Sequence, residues 1–272
     1  MNMLESPFLA DAIRISREIY AKGWGEASGG NLSIRIPAEE MCPFAQFLRP
    51  AKKYKLRTPL PELAGDYFLV SASGAFFRYM EEFPHENLGI IRIRQKGESY
   101  QVVWGYTTGA RPTSELPAHL ISQTVRKKIS KGRDRVLLHV HATNLIALSA
   151  VLPLETAVIT RKLWEMMSEC LMFFPDGIGV LDWMVPGQEK IGSETARLMK
   201  KHRLILWAHH GICGAGENLD QVFGLIETAD KAADMRLKAM AAGGIKQAIS
   251  TGQLKALAKA VKVQPLKAAL EL

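Results

Sequence analysis

Apolar residues recur along the chain at two periods, one helical and one extended. Ser6 and Pro7 suit an N-cap and a first helical position; Leu9, Ile13, Ile15, Ile19 and Tyr20 then supply an apolar face, and Gly23 ends this predicted helix. Leu32-Ser33-Ile34-Arg35-Ile36 alternates as a strand half buried against a core does. Pro37, Pro43, Pro50, Pro59 and Pro61 predict irregular backbone packed on the surface between residues 37 and 64, without a convincing domain boundary. Tyr67-Phe68-Leu69-Val70 reads as another strand. Leu88 to Arg94 and Tyr100 to Trp104, either side of Lys96-Gly97-Glu98, read as a hairpin, so antiparallel sheet is expected rather than a simple βαβ series.

A helix is predicted after Pro112, with Thr113 or Ser114 as N-cap, Glu115 in the first turn and Lys131-Gly132 as the stop beyond Ile129. Further helices are expected from Thr143, from Glu155 to Ser168 and from Gln188 to His202. Cys170-Leu171-Met172-Phe173-Phe174 is wholly apolar and reads as a strand, as does Leu204 to Ala208. Leu219 to Ala242 is a long helix, and Gly243-Gly244 separates it from a last helix near residues 250–261.

The candidate chemistry lies at the ends of these elements. His139 and His141 are two apart in a strand-forming run, which puts both imidazoles on one face, where they can share an ion. A catalytic zinc usually takes three protein ligands, and the strand ending at Ala208 runs into His209-His210-Gly211. Strand alternation leaves His209 and His210 as equal candidates for the third ligand. Ser28-Gly29-Gly30-Asn31 and Ser71-Ala72-Ser73-Gly74 are small-residue loops beside strands. Each alone is an ordinary turn, and together they suit an anion held on backbone N–H groups. By local pattern Glu115 complements a helix dipole, and His119, four residues on, either orients it or is a core histidine.

Composition narrows the class. The 272 residues, 47% hydrophobic and 23% charged, fit one large α/β domain or two small ones. Cys42, Cys170 and Cys213 are odd in number and widely spaced, so reduced, structural thiols are expected. The start of the chain lacks a basic region followed by an apolar run, and no apolar run nears the roughly 18 residues that span a bilayer, so a cytoplasmic protein without a membrane partner is expected. The net charge of +8 is spread out, with short clusters only at Lys52-Lys53-Tyr54-Lys55 and Arg126-Lys127-Lys128, which argues against a nucleic-acid partner.

Pro112-Thr113-Ser114-Glu115-Leu116-Pro117-Ala118-His119 and the run from His139-Val140-His141 to Leu148 resemble the class II, zinc-dependent aldolases of the fuculose-phosphate aldolase and ribulose-phosphate epimerase group. The likeness extends from Lys22-Gly23-Trp24 and Gly29-Gly30-Asn31-Leu32 through Phe174-Pro175-Asp176-Gly177 and Trp183 to Gly187, as far as Phe223-Gly224-Leu225-Ile226. The resemblance implies one domain over residues 1–272, a three-layer α-β-α arrangement with a mixed, largely antiparallel central sheet. It further implies a four-fold symmetric homotetramer with sites at subunit boundaries. The implied activity is reversible cleavage of a ketose 1-phosphate to dihydroxyacetone phosphate and L-lactaldehyde.

By the same resemblance, His139, His141 and His210 are the Zn²⁺ ligands and Glu115 is the catalytic carboxylate. Gly30, Asn31, Ser73, Gly74 and Ser114 bind the substrate phosphate, and Glu169 acts as a proton relay contributed from a neighbouring subunit. Two positions depart from the pattern: Ser28 stands in place of an asparagine, and Ala75 in place of a lysine. A sister aldolase or 4-epimerase, or a non-catalytic binding module such as the adducin head, are the alternatives within this family.

Overall fold

The alternation at Leu32–Ile36 becomes strand β1 (Asn31–Ile36), but all six of its residues are buried rather than one face only. The reason is its place near the middle of a nine-stranded sheet in a computed structural model that describes residues 2–272. With β2 (Lys53–Lys55), β3 (Tyr67–Ser71), β4 (Leu88–Ile93), β5 (Ser99–Gly105), β6 (Val136–Val140), β7 (Ile178–Leu181), β8 (Leu204–Trp207) and β9 (Gly211–Gly216), the order is β2-β5-β4-β3-β1-β6-β9-β8-β7. The β7–β8 pair is parallel and every other pair is antiparallel, so the sheet is mixed, open and largely antiparallel, as expected.

Helices cover both faces. They are α1 (Pro7–Ala21), the one-turn α2 (Ala38–Met41) and α3 (Pro84–Asn87), α4 (Leu116–Ile129), α5 (Thr143–Val151), α6 (Thr156–Trp164), α7 (Ser168–Phe173), α8 (Glu189–Leu198), α9 (Leu219–Ala241), α10 (Thr251–Ala260) and α11 (Lys267–Leu270). On one side α9 packs on α1, α5, α6 and α7 and on β6 and β9; on the other α4 packs on α8 and β6. The larger core lies under α9. A smaller one, with Leu137, Ile191, Ile205, Trp207 and Cys213, lies under α8. Among the described residues no single helix is long and apolar enough to cross a membrane.

Five readings of the sequence need correction. Cys170 to Phe174 is not a strand: residues 168–173 form α7, with Cys170, Leu171 and Phe174 buried while Met172 and Phe173 are exposed. That spacing is one helical turn, and a short apolar run does not distinguish the two structures. Strand β2 occupies part of the stretch read as irregular, and β7 was not foreseen. Strand β9 was missed because Gly211, Gly214 and Gly216 suit turns better than strands. Glu115 is the N-cap of α4 rather than a first-turn residue, and its side chain makes no capping bond.

The position of α4 is secured at its far end by a buried ion pair. Arg126 Nε donates to Asp134 Oδ2 at 2.8 Å, and its Nη1 donates to the Met199 carbonyl at 2.9 Å. The two side chains are only 10% and 8% exposed. Removing one partner strands the other charge in a low-dielectric environment. Asp134→Ala should therefore lower the unfolding free energy by about 3–5 kcal/mol in denaturant titration; a change under about 1 kcal/mol would show that the pair does not anchor the helix.

Candidate active site

Three imidazoles converge at one end of the β6, β8 and β9 strands. His139 lies in β6 and His141 just beyond its end, while β8 stops at Trp207 and a turn closed by the His210 N–H on the Trp207 carbonyl (3.0 Å) leads into β9. In that turn His209 adopts φ 57° and its side chain is exposed, so strand alternation no longer applies. The structure brings His210, not His209, to the pair: ring centroids are 5.2 Å apart for His139–His141, 4.8 Å for His139–His210 and 5.2 Å for His141–His210. One ligating atom from each of these three residues lies within 4.8 Å of the other two.

Their hydrogen bonds leave lone pairs facing one another. His139 Nδ1 donates to the Ile212 carbonyl at 3.1 Å, which fixes the tautomer and leaves Nε2 as acceptor. That Nε2, and Nδ1 of His210, are buried without a partner. His141 Nδ1 lies 2.6 Å from Glu26 Oε1. Burial, reinforced by the neighbouring imidazoles, pushes His139 well below the ordinary histidine range. His210 is lowered chiefly by burial, with Glu115 opposing. Neutral rings with unpaired buried nitrogens form a donor set that a divalent cation satisfies. The backbone after His210 packs closely against the histidine strand: a Cβ on Gly211 would lie 2.5 Å from the Val140 carbonyl and 2.8 Å from His139 Cε1.

Three loops close the cleft beside the histidines. Residues 28–30 precede β1 and Asn31 opens it, 72–74 follow β3, and 113–115 precede α4, and all of them line the same pocket as His139, His141 and His210. The last two are stitched together by the backbone: the Ser73 N–H donates to Arg111 O at 2.7 Å and the Thr113 N–H to Ser71 O at 2.9 Å. Gly30 has φ 77°, and a Cβ there would lie 2.8 Å from the His139 carbonyl, so this loop can pass the histidine strand only as glycine. Gly30, Asn31, Ser73, Gly74 and Ser114 thus share one cleft, as does Ser28, whereas Ala75 is buried and lies outside its lining.

Glu115 is 6% exposed and lines the same cleft. Its Oε2 accepts from Asn31 Nδ2 at 2.9 Å. The carboxylate makes no cap bond and lines the cleft beside the metal-competent histidines, a setting in which functional carboxylates cluster. Glu169, by contrast, is exposed in the first turn of α7 and is not brought to this cleft within one chain. Sequence reasoning missed Glu26 as the partner of His141 and Trp207 as the platform whose ring centroid is 4.4 Å from that of His139. Trp207 was visible only as a strand residue, and nothing local marked Glu26.

This architecture has known relatives. Residues 10–237 match the model of the class II aldolase and adducin N-terminal domain family. The chain is 47% identical to a rhamnulose-1-phosphate aldolase of Pectobacterium atrosepticum, with 98% of each chain covered. It is 49% identical to one of Yersinia pestis, covering 99% of this chain and 98% of that one. In fold it is similar to the crystal structure of a sugar-phosphate aldolase from Thermotoga maritima, with a TM-score of 0.74 at 23% identity over 87% of this chain and 97% of that one. The chain belongs to the class II aldolase and adducin N-terminal domain family.

Proposed function

We propose that this chain is a zinc-dependent aldolase that reversibly cleaves L-rhamnulose 1-phosphate to dihydroxyacetone phosphate and L-lactaldehyde. The carrying observation is the coincidence, in one cleft, of three metal-competent histidines, a buried carboxylate and two small-residue loops. The full-length likeness to aldolases of that name supports the substrate. Zn²⁺ held by His139, His141 and His210 would supply a Lewis acid for the charge left on the dihydroxyacetone phosphate fragment when the C3–C4 bond breaks.

The rest of the work falls to the chain. Glu115 moves the proton at C3, for which a buried, hydrogen-bonded carboxylate beside the histidines is well placed. The backbone N–H groups and hydroxyls of Gly30, Asn31, Ser73, Gly74 and Ser114 hold the phosphate, so that binding energy remote from the reacting carbons orients them. With Ala75 buried and uncharged and Ser28 able to donate one hydrogen bond, the phosphate here rests on neutral donors. Residues 1–272 act as one catalytic domain in a cytoplasmic homotetramer, where Glu169, exposed on its own chain, reaches a neighbouring site as a proton relay.

A scaffold such as the adducin head has no use for two buried, unpaired imidazole nitrogens and a third histidine converging beside a buried carboxylate, which favours catalysis over binding alone. A sister aldolase would share metal and phosphate sites and differ around the aldehyde. Glu115→Ala should keep its zinc and fold and lose cleavage by about 10²–10⁴-fold, the usual worth of a positioned proton-transfer group; near wild-type turnover in the metal-replete variant would remove Glu115 from the reaction. Cleavage of rhamnulose 1-phosphate, fuculose 1-phosphate and unphosphorylated rhamnulose separates the remaining readings. The first should be fastest, the second modestly slower, since one pocket contact is worth about 10–200-fold, and the third slowest because buried donors go unpaired. Faster fuculose 1-phosphate cleavage would reassign the substrate, and equal rates for all three would contradict the phosphate site as well.

A further inference from the structure

Behind Glu115 runs a line of buried polar groups that, apart from Asn31, none of the roles above uses. Gln123 Nε2 donates to Ser33 Oγ at 3.3 Å, Ser33 Oγ lies 2.8 Å from His119 Nδ1, His119 Nε2 lies 2.5 Å from Asn31 Oδ1, and Asn31 Nδ2 donates to Glu115 Oε2 at 2.9 Å. Every member is buried: Gln123 and His119 are 1% exposed and Ser33 is fully enclosed. The line spans two elements. Asn31 and Ser33 project from the same face of β1, and His119 and Gln123 lie one helical turn apart on α4, the helix that Glu115 caps.

The direction of each bond follows from its end. An ionised carboxylate only accepts, so Asn31 presents its NH₂ to Glu115 and its carbonyl to His119. That carbonyl requires the proton of a neutral His119 on Nε2, and Nδ1 then accepts from the Ser33 hydroxyl, whose oxygen is left to accept from Gln123. Gln123 is held in turn by donating to the Arg135 carbonyl at 2.9 Å. Left alone, a primary amide can turn over and present its oxygen to the carboxylate, which would repel Glu115. The Nε2–H of His119 blocks that flip. Burial pushes His119 down to about 4, so the ring is neutral and donating at neutral pH. An amide cannot pass a proton along such a line, so its role is orientation rather than relay.

We propose that His119 is a positioning residue which, by locking the Asn31 amide, holds Glu115 in the orientation from which it handles the substrate proton. The proposal rests on the reading of Glu115 as the proton-transfer group. Asn31 keeps a second amide hydrogen free, because Nδ2 carries two and Glu115 uses one, and it lines the cleft assigned to the phosphate. The same locked amide therefore faces both the catalytic carboxylate and the substrate.

The test is a kinetic double-mutant cycle on the zinc-loaded, full-length protein with rhamnulose 1-phosphate. His119→Leu should bind zinc as wild type does and lower kcat by about 10- to 100-fold, the scale expected for losing a hydrogen bond to a charged group's support, with a smaller rise in KM because the released Asn31 amide also faces the phosphate. His119→Gln, whose amide can both donate to Asn31 and accept from Ser33, should recover most of that loss. In a Glu115→Ala background His119→Leu should cost almost nothing more, because it acts through the missing carboxylate. If His119→Leu fails to fold, Ser33→Ala, which frees the tautomer of His119, should give a smaller kcat loss with the same non-additivity. Equal proportional losses with and without Glu115, or an effect confined to KM, would overturn the positioning role while leaving Glu115 in place. Full activity of Glu115→Ala alone would overturn the reading of Glu115 and this proposal with it.

Discussion

Everything at this site depends on the removal of imidazole nitrogens from water without giving them a protein partner. His139 Nε2 and His210 Nδ1 are buried and unpaired, an arrangement that costs free energy unless something satisfies it. The sheet imposes the arrangement. The β6–β9 register sets His139 opposite Cys213, the Ile212 carbonyl takes the Nδ1 proton, and the turn after Trp207 delivers His210 from the far side. The cost falls when a cation arrives, and the geometry that raises it also keeps the rings neutral and able to bind.

The same logic explains why the polar groups lie in layers outward from the histidines. Asn31 pairs with His139 across the β1–β6 ladder, so the residue that contacts Glu115 is placed by the strand that carries a metal-competent histidine. Helix α4 contributes Glu115 at its start and Arg126 near its end, the latter locked to Asp134 just ahead of β6. A shift of this helix would move the carboxylate relative to the rings, so the geometry of the cleft and the Arg126–Asp134 pair depend on a single element. Cys213, opposite His139 and fully buried, has its thiol pushed well up by burial. It packs in the smaller core that also holds Trp207.

Much of this was legible in the sequence where a period or a spacing carried the information. The His139–His141 pair, the hairpin about Lys96-Gly97-Glu98, the helix ending at Lys131-Gly132 and the long helix before Gly243-Gly244 follow from alternation, helical period and end signals. Long-range consequences were not legible. Nothing local distinguishes His209 from His210, because the answer lies in a turn that puts His209 at φ 57°. Glu115 looked like a dipole-complementing acid because the groups facing it, Asn31 and the histidines, come from strands more than 20 residues away in sequence. Cys170 to Phe174 misled because five apolar residues fit a strand and a turn of helix equally well, and packing under α9 decided between them. The glycines of β9 read as breakers although they allow the strand to pass beneath bulky side chains.

The central claim is that three particular imidazoles, poised by burial, hold the metal. It is tested most directly by elemental analysis of purified wild type, His210→Ala and His209→Ala after exhaustive dialysis. Stoichiometric zinc in wild type and His209→Ala, with loss of tightly held zinc from His210→Ala, is the result this account predicts. Zinc retained by His210→Ala and lost from His209→Ala, or no tightly held metal in wild type, would contradict it.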